Sequence, residues 1–169
     1  MYKINLIYSV WGGEVLSRVE KSIDIKAPPE KAWEMLAFNR FPEWTETFGE
    51  RVEYTSEVHT PKDKYRVSAT AQGIPKKQGD DYCNFEIIES LENEKITYRA
   101  YEETFFGTLS MFTTYTLEPV ETDTKFTYEL ESELPFGVFD KFLEKLFARR
   151  WAEKMVWKAL ENLKSIVEK

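Results

Sequence analysis

Six hydroxyl-bearing side chains share the apolar parity of the alternating segments that carry them: Tyr54, Tyr65, Tyr98, Thr113, Tyr115 and Tyr128. Phenols so placed can hold or polarise a carbonyl by donating a hydrogen bond, and a nearby guanidinium can stabilise an enolate-like oxygen. The guanidinium in question is Arg150, which falls near the Phe139/Leu143 side of a helical pattern that also carries Phe147. A general base is harder to find. The one histidine, His59, lies at a strand end, off the apolar parity and beside Thr60-Pro61, and reads as a loop residue. Glu102, beyond Ala100, is the one carboxylate with an inward parity; Asp80-Asp81 and most other acidic pairs read as solvated. One His and one Cys exclude the usual zinc ligand sets, and neither a phosphate loop nor a dinucleotide fingerprint occurs. No cofactor is implied. The pattern suits a molecule with an apolar body and a few oxygens. The plainer alternative stays open: each phenol reaches the surface or pairs with another, and Arg150 is exposed or ion-paired with Glu153 or Glu102.

The elements that must position these residues follow from periodicity. Lys3 to Val10 alternates and precedes Gly12-Gly13, so residues 1–16 form either an extra hairpin strand or a loose leader. From Ser17 to Ala27 the chain alternates as a strand, with Val19, Lys21, Ile23 and Ile25 on one side. Pro28-Pro29 stops it and starts a helix of about ten residues, in which Ala32, Trp33, Leu36 and Ala37 fall at helical spacing. Pro42 opens a second short helix through Trp44 to Phe48, closed by Gly49. Six period-two segments follow. Their apolar parities are Val52 to Val58, Tyr65 to Ala71, Cys83 to Ile87, Ile96 to Ala100, Leu109 to Leu117 and Phe126 to Leu130. Turn residues separate them, and short links mean an antiparallel meander. From Val138 to the end runs one helix, whose apolar residues step by four: Phe139, Leu143, Phe147, Trp151, Met155, Ala159, Leu163, Val167. A step of four overshoots the helical turn by about 40°, so this seam winds around the helix. A helix lying across a twisted sheet would want that; a kink near Arg149 is the competing account.

Composition bounds the function. A chain of 169 residues with 42% hydrophobic and 31% charged residues is read as globular, with residues 17–169 as one domain. The aromatic share is high, at 15%. A net charge of -7, with no basic cluster beyond Arg149-Arg150, disfavours nucleic acid and an anionic membrane surface. No apolar run reaches the length of a membrane span. A single cysteine suits a reducing compartment, so the cytoplasm is expected.

The order strand, two short helices, six antiparallel strands and long C-terminal helix resembles the helix-grip fold of the START and birch-pollen-allergen-like superfamily. The stretches IDIKAPPEKAWEML and RFPEW resemble the opening strand and first helices of its polyketide cyclase/dehydrase-like branch. YTLEPVETDTKFTYELESELPFG resembles that branch's last hairpin, and ALENLKSIVEK its terminal helix. The likeness covers Ser17 to Lys169. It implies an α+β fold in which a curved antiparallel sheet of about seven strands wraps around the long helix, with a deep cavity between them. HTPKDK stands where the pollen-allergen branch has a glycine-rich loop, so that branch's ligand loop is not expected here. Three functions follow as expectations. The first is binding or transport of a hydrophobic small molecule: a lipid, isoprenoid or polyketide-like compound. The second is a cyclase or dehydratase reaction run by the tyrosines and Arg150. The third is a protein-interaction module or homodimer that uses Phe105-Phe106.

Overall fold

The computed structural model describes residues 15–45, 50–74, 83–104, 107–134 and 142–169; the side chains of 15–17, 102–104, 107–109, 132–134 and 142–148 fall outside this description. Within it, seven antiparallel strands form one curved sheet. They are β1 (Val15–Ile25), β2 (Arg51–Tyr54), β3 (Thr70–Ile74), β4 (Cys83–Leu91), β5 (Lys95–Thr104), β6 (Gly107–Val120) and β7 (Asp123–Leu134). Their order is β1-β7-β6-β5-β4-β3-β2, a meander with the first strand added beside the last. The expected extra strand at Lys3 to Val10, the Gly12-Gly13 turn and Phe105-Phe106 lie outside the described residues. This is the helix-grip architecture.

Register puts the apolar parity of each strand on one face. Val19 pairs with Leu130, Ile23 with Phe126, Tyr98 with Thr113 and Tyr115 with Tyr128. Turns form where the breakers stand: Asn93 and Glu121 take left-handed backbone (φ 63° and 57°) in the β4–β5 and β6–β7 links. A bulge between Ile87 and Glu89 shifts register and leaves Ile88 exposed.

The first helix is shorter than its periodicity predicts. It runs as α1 (Pro29–Glu34), with Pro28 extended ahead of it and Ala37 extended after it. The reason is tertiary. The Tyr98 hydroxyl donates to the Leu36 carbonyl, and the Phe38 N–H donates to Tyr54 Oη at 3.1 Å. Backbone groups that a longer helix would use are taken by phenols from the sheet. A 3₁₀ turn (Phe38–Arg40) then leads into α2 (Phe41–Trp44), where Pro42 occupies the first turn. Phe48 and Gly49 lie outside the described residues.

The segment from Tyr65 to Ala71 is not one strand. Thr60 and Asp63 build a cap: Asp63 Oδ2 accepts the Thr60 and His59 N–H groups at 2.7 and 3.0 Å. Pro61–Tyr65 is therefore a 3₁₀ turn, Ser68 is left-handed (φ 68°), and β3 begins at Thr70. Val67 is exposed as a result, while Tyr65 lies against Trp33 with ring centroids 5.2 Å apart.

The terminal helix, α3 (Phe142–Val167), packs along β1 and touches α1 and α2. Lys164 Nζ donates to the Asp24 carbonyl, and Glu168 accepts the Lys26 N–H at 2.7 Å. The buried stripe is Val156, Ala159, Leu160, Leu163 and Val167. Its steps of three and four keep to one face of a regular helix. The four-residue seam fails at Trp151, which is 64% exposed, so among the described residues the winding that it implied is not observed.

Truncation distinguishes the two seams. Leu163→Ala removes a fully buried side chain and should lower stability by about 2–5 kcal/mol. Trp151→Ala should stay within about 0.5 kcal/mol of the parent. Urea unfolding midpoints check both; similar losses at the two positions would restore the winding seam.

Candidate functional site

Two structural facts build the site. The inward parities of β4 to β7 bring large rings under the sheet, and the α1–α2 connection closes over them. Phe38 is fully buried and meets Phe41, Tyr54, Phe85 and Tyr98 at centroid distances of 5.7, 5.3, 5.9 and 5.2 Å. Tyr115 sits at the other side of the cluster, against Trp44 (5.5 Å), Tyr98 (5.7 Å), Phe126 (5.6 Å) and Tyr128 (4.8 Å). Most of these contacts are edge-to-face, the arrangement that aromatic quadrupoles favour.

A buried polar tip without a partner is costly, so each ring's hydrogen bond matters. Trp44 Nε1 donates to the Met35 carbonyl at 2.9 Å, and Asn162 of α3 donates to the Trp44 carbonyl at 3.3 Å. Tyr98 is satisfied by Leu36. Tyr54 accepts from Phe38 and donates to the Lys64 carbonyl at 3.1 Å. Tyr65 is half-buried and reaches the Glu34 carbonyl at 3.4 Å. The Tyr128 hydroxyl lies beside those of Thr113 and Tyr115. Tyr115 Oη stands apart: it is buried with the Tyr128 hydroxyl as a polar neighbour, but the two do not meet in full hydrogen-bonding geometry.

Burial also sets the protonation of these phenols. Desolvation pushes Tyr128 up to about 12, tempered by the neighbouring Tyr115 and Thr113 hydroxyls, which favour its phenolate. Tyr98 and Tyr115 are pushed well above the ordinary phenol value, first by burial and then by the phenols around them. All three are neutral donors at physiological pH. Among the described residues no acidic or basic side chain is buried, and no three His, Cys, Asp or Glu side chains gather as metal ligands. His59 is exposed, with its ring 3.0 Å from Glu57.

Of the residues singled out in the sequence, Trp44, Tyr98, Thr113, Tyr115 and Tyr128 come together in one buried cluster, and Tyr54 joins its edge through Phe38. Tyr65 lies further out, on Trp33. Arg150 is exposed on α3. Phe139 lies outside the described residues, as do the side chains of Leu143, Phe147 and Glu102. The sequence reading missed a groove of about 390 Å³ between Trp44 and α3, lined by Trp151, Lys154, Met155, Lys158, Ala159 and Asn162. Its signal was present in the helical spacing of Trp151, Lys154, Met155 and Lys158, once Trp151 is read as outward.

Solved structures show the same fold at low sequence identity. Protein MLL2253 from Mesorhizobium loti superposes with a TM-score of 0.64 at 19% identity, covering 90% of this chain and 97% of its own. The ZhuI aromatase/cyclase from Streptomyces sp. R1128 gives 0.66 at 14% identity, covering 90% and 94%. TTHA0849 from Thermus thermophilus gives 0.59 at 18% identity, covering 89% and 97%. No curated protein matches the chain. Residues 17–168 match the family model described as polyketide cyclase / dehydrase and lipid transport, and the chain belongs to that family.

Proposed function

We propose that this protein binds or carries a hydrophobic small molecule, a lipid, isoprenoid or polyketide-like compound, between its sheet and its terminal helix. The observation that carries the reading is the buried Tyr115 hydroxyl, whose polar neighbour, the Tyr128 hydroxyl, does not meet it in full hydrogen-bonding geometry. It is a neutral donor in an aromatic cluster in which backbone carbonyls already engage the Tyr98 hydroxyl and the Trp44 indole. A ligand with an apolar body and one oxygen would supply the missing acceptor while its body lies on the rings. Residues 17–169 would act as one unit, in the reducing cytoplasm that a single cysteine suits.

The second reading is a cyclase or dehydratase. It is favoured by the same neutral phenols, which can polarise a carbonyl, and by the aromatase/cyclase named among the structural neighbours. It still lacks a base: no buried carboxylate or histidine accompanies the phenols among the described residues.

Two measurements bear on the binding reading. Screening lipids and aromatic polyketides by thermal unfolding should find compounds that raise stability, by about 2.7 kcal/mol at a hundredfold excess over Kd. Tyr115→Phe should bind the same compound about tenfold more weakly, yet leave the unliganded protein as stable as before or about 1 kcal/mol more so. If no compound shifts the transition, or Tyr115→Phe binds it equally well, the reading fails. Alkaline titration tests the phenols. The unfolded chain loses phenolic protons near pH 10, whereas Tyr98, Tyr115 and Tyr128 keep theirs in the fold. The native state therefore binds more protons above that pH. This stability is fully present below about pH 10 and is lost as pH climbs through the folded values. Tyrosinate absorbance should show a group that ionises only near pH 12 or upon unfolding; full ionisation near pH 10 in folded protein would contradict the buried cluster.

A further inference from the structure

The outer face of α3 combines two exposed indoles with a run of cations in a chain that is acidic overall. Trp151 is 64% exposed and Trp157 is 43% exposed. Arg150, Lys154 and Lys158 are exposed too. At 100° per residue these five side chains fall within an arc of about 120°, opposite the buried stripe of Val156, Leu160 and Leu163. Among the described residues the carboxylates nearby are few, and Lys158 is itself engaged. Glu153 lies at the edge of this face and is paired with Arg149 at 3.2 Å, and exposed Glu161 falls within the arc two turns later. Beside Trp151 lies the groove over Trp44, floored by Met155 and Ala159 and rimmed by Lys154 and Lys158.

We propose that this face of α3 docks on an anionic lipid surface. Indoles favour the boundary between headgroups and acyl chains, where the ring is buried and its N–H stays wet. Lysine and arginine stems lie along the same boundary while their charged ends meet lipid phosphates. The alternation of Trp and cations on one helical face supplies both terms, and the helix lies along the surface instead of spanning it. The net charge of -7 argues against such a surface only if charge is spread evenly. Here the cations are gathered on one helical face, which would turn toward the membrane while the acidic remainder turns away. Self-association would also hide the indoles, but a two-fold copy of this face would oppose Arg150, Lys154 and Lys158 to one another. Charge complementarity therefore favours lipid. The proposal concerns the outside of α3 and does not depend on what the interior binds.

Flotation of the full chain with vesicles tests it. Phosphatidylcholine vesicles carrying about 30 mol% phosphatidylserine should recover the protein, and pure phosphatidylcholine vesicles should not. About 0.5 M salt should release it. Lys154→Glu with Lys158→Glu should weaken recovery about tenfold or more. Trp151→Ser with Trp157→Ser should abolish quenching of indole fluorescence by brominated acyl chains. Unfolding midpoints equal to that of the parent would show that both double variants fold, and Lys62→Glu, on a distant loop, should float like the parent. No flotation, or flotation unaffected by vesicle charge and by both double variants, would overturn the proposal. So would a dimer that Trp151→Ser with Trp157→Ser dissociates and that ignores vesicles.

Discussion

The interior is governed by one requirement: every phenol and indole drawn under the sheet must place its polar tip as well as its ring. Tyr98 and Trp44 meet it by taking carbonyls from residues 35 and 36, and Tyr54 by taking the N–H of residue 38. Those bonds fall in the link between α1 and α2. They end α1 after six residues, turn Phe38 and Phe41 inward and bring Trp44 up to α3. Helix termination, aromatic packing and attachment of the terminal helix are thus one event. Tyr115 has the same demand and no local backbone to answer it. A protein built only for stability would gain from Phe at this position. A hydroxyl retained there makes sense if a guest completes it.

Much of the architecture could be read from the chain because period-two alternation and turn residues are local signals. The meander, the Asn93 and Glu121 turns and the inward parity of Tyr98, Tyr115 and Tyr128 all follow from neighbours in sequence. The misreadings share a cause. Helical periodicity runs on through Leu36 and Ala37, but phenols far away in sequence compete for that backbone. At Tyr65 to Ala71 the alternation is real, yet the Thr60–Asp63 cap bends the chain first. That cap was visible as a threonine three residues ahead of an aspartate, next to a proline. The α3 seam fails for a different reason. Stepping by four back from Leu163 and Ala159 reaches Trp151, and residue type alone points that side chain inward, whereas two indoles of this helix face out.

The candidate site was half legible. Residue type and parity suffice to predict the burial of Tyr98, Tyr115 and Tyr128 on long strands, but not of Tyr65, which the 3₁₀ turn leaves half-buried. They do not say which of them finds a partner, because that depends on where α1 and α2 lay their carbonyls. Whole-chain charge was likewise a poor guide to surface chemistry. An acidic total conceals a cationic, tryptophan-bearing face on one helix, and only the orientation of α3 separates that face from its buried stripe. Interior and exterior of the same helix therefore present two different kinds of apolar surface: one closed by packing, the other bordered by cations.

A crystal structure of protein purified without organic solvent or detergent tests the central claim most directly, through the density around Tyr115 Oη. The account predicts an elongated feature, not attributable to the chain, that ends within hydrogen-bonding distance of that oxygen and lies against the rings of Tyr98, Tyr128 and Trp44. A Tyr115 hydroxyl bonded to another side chain or to backbone, in an interior filled by the protein itself, would contradict it.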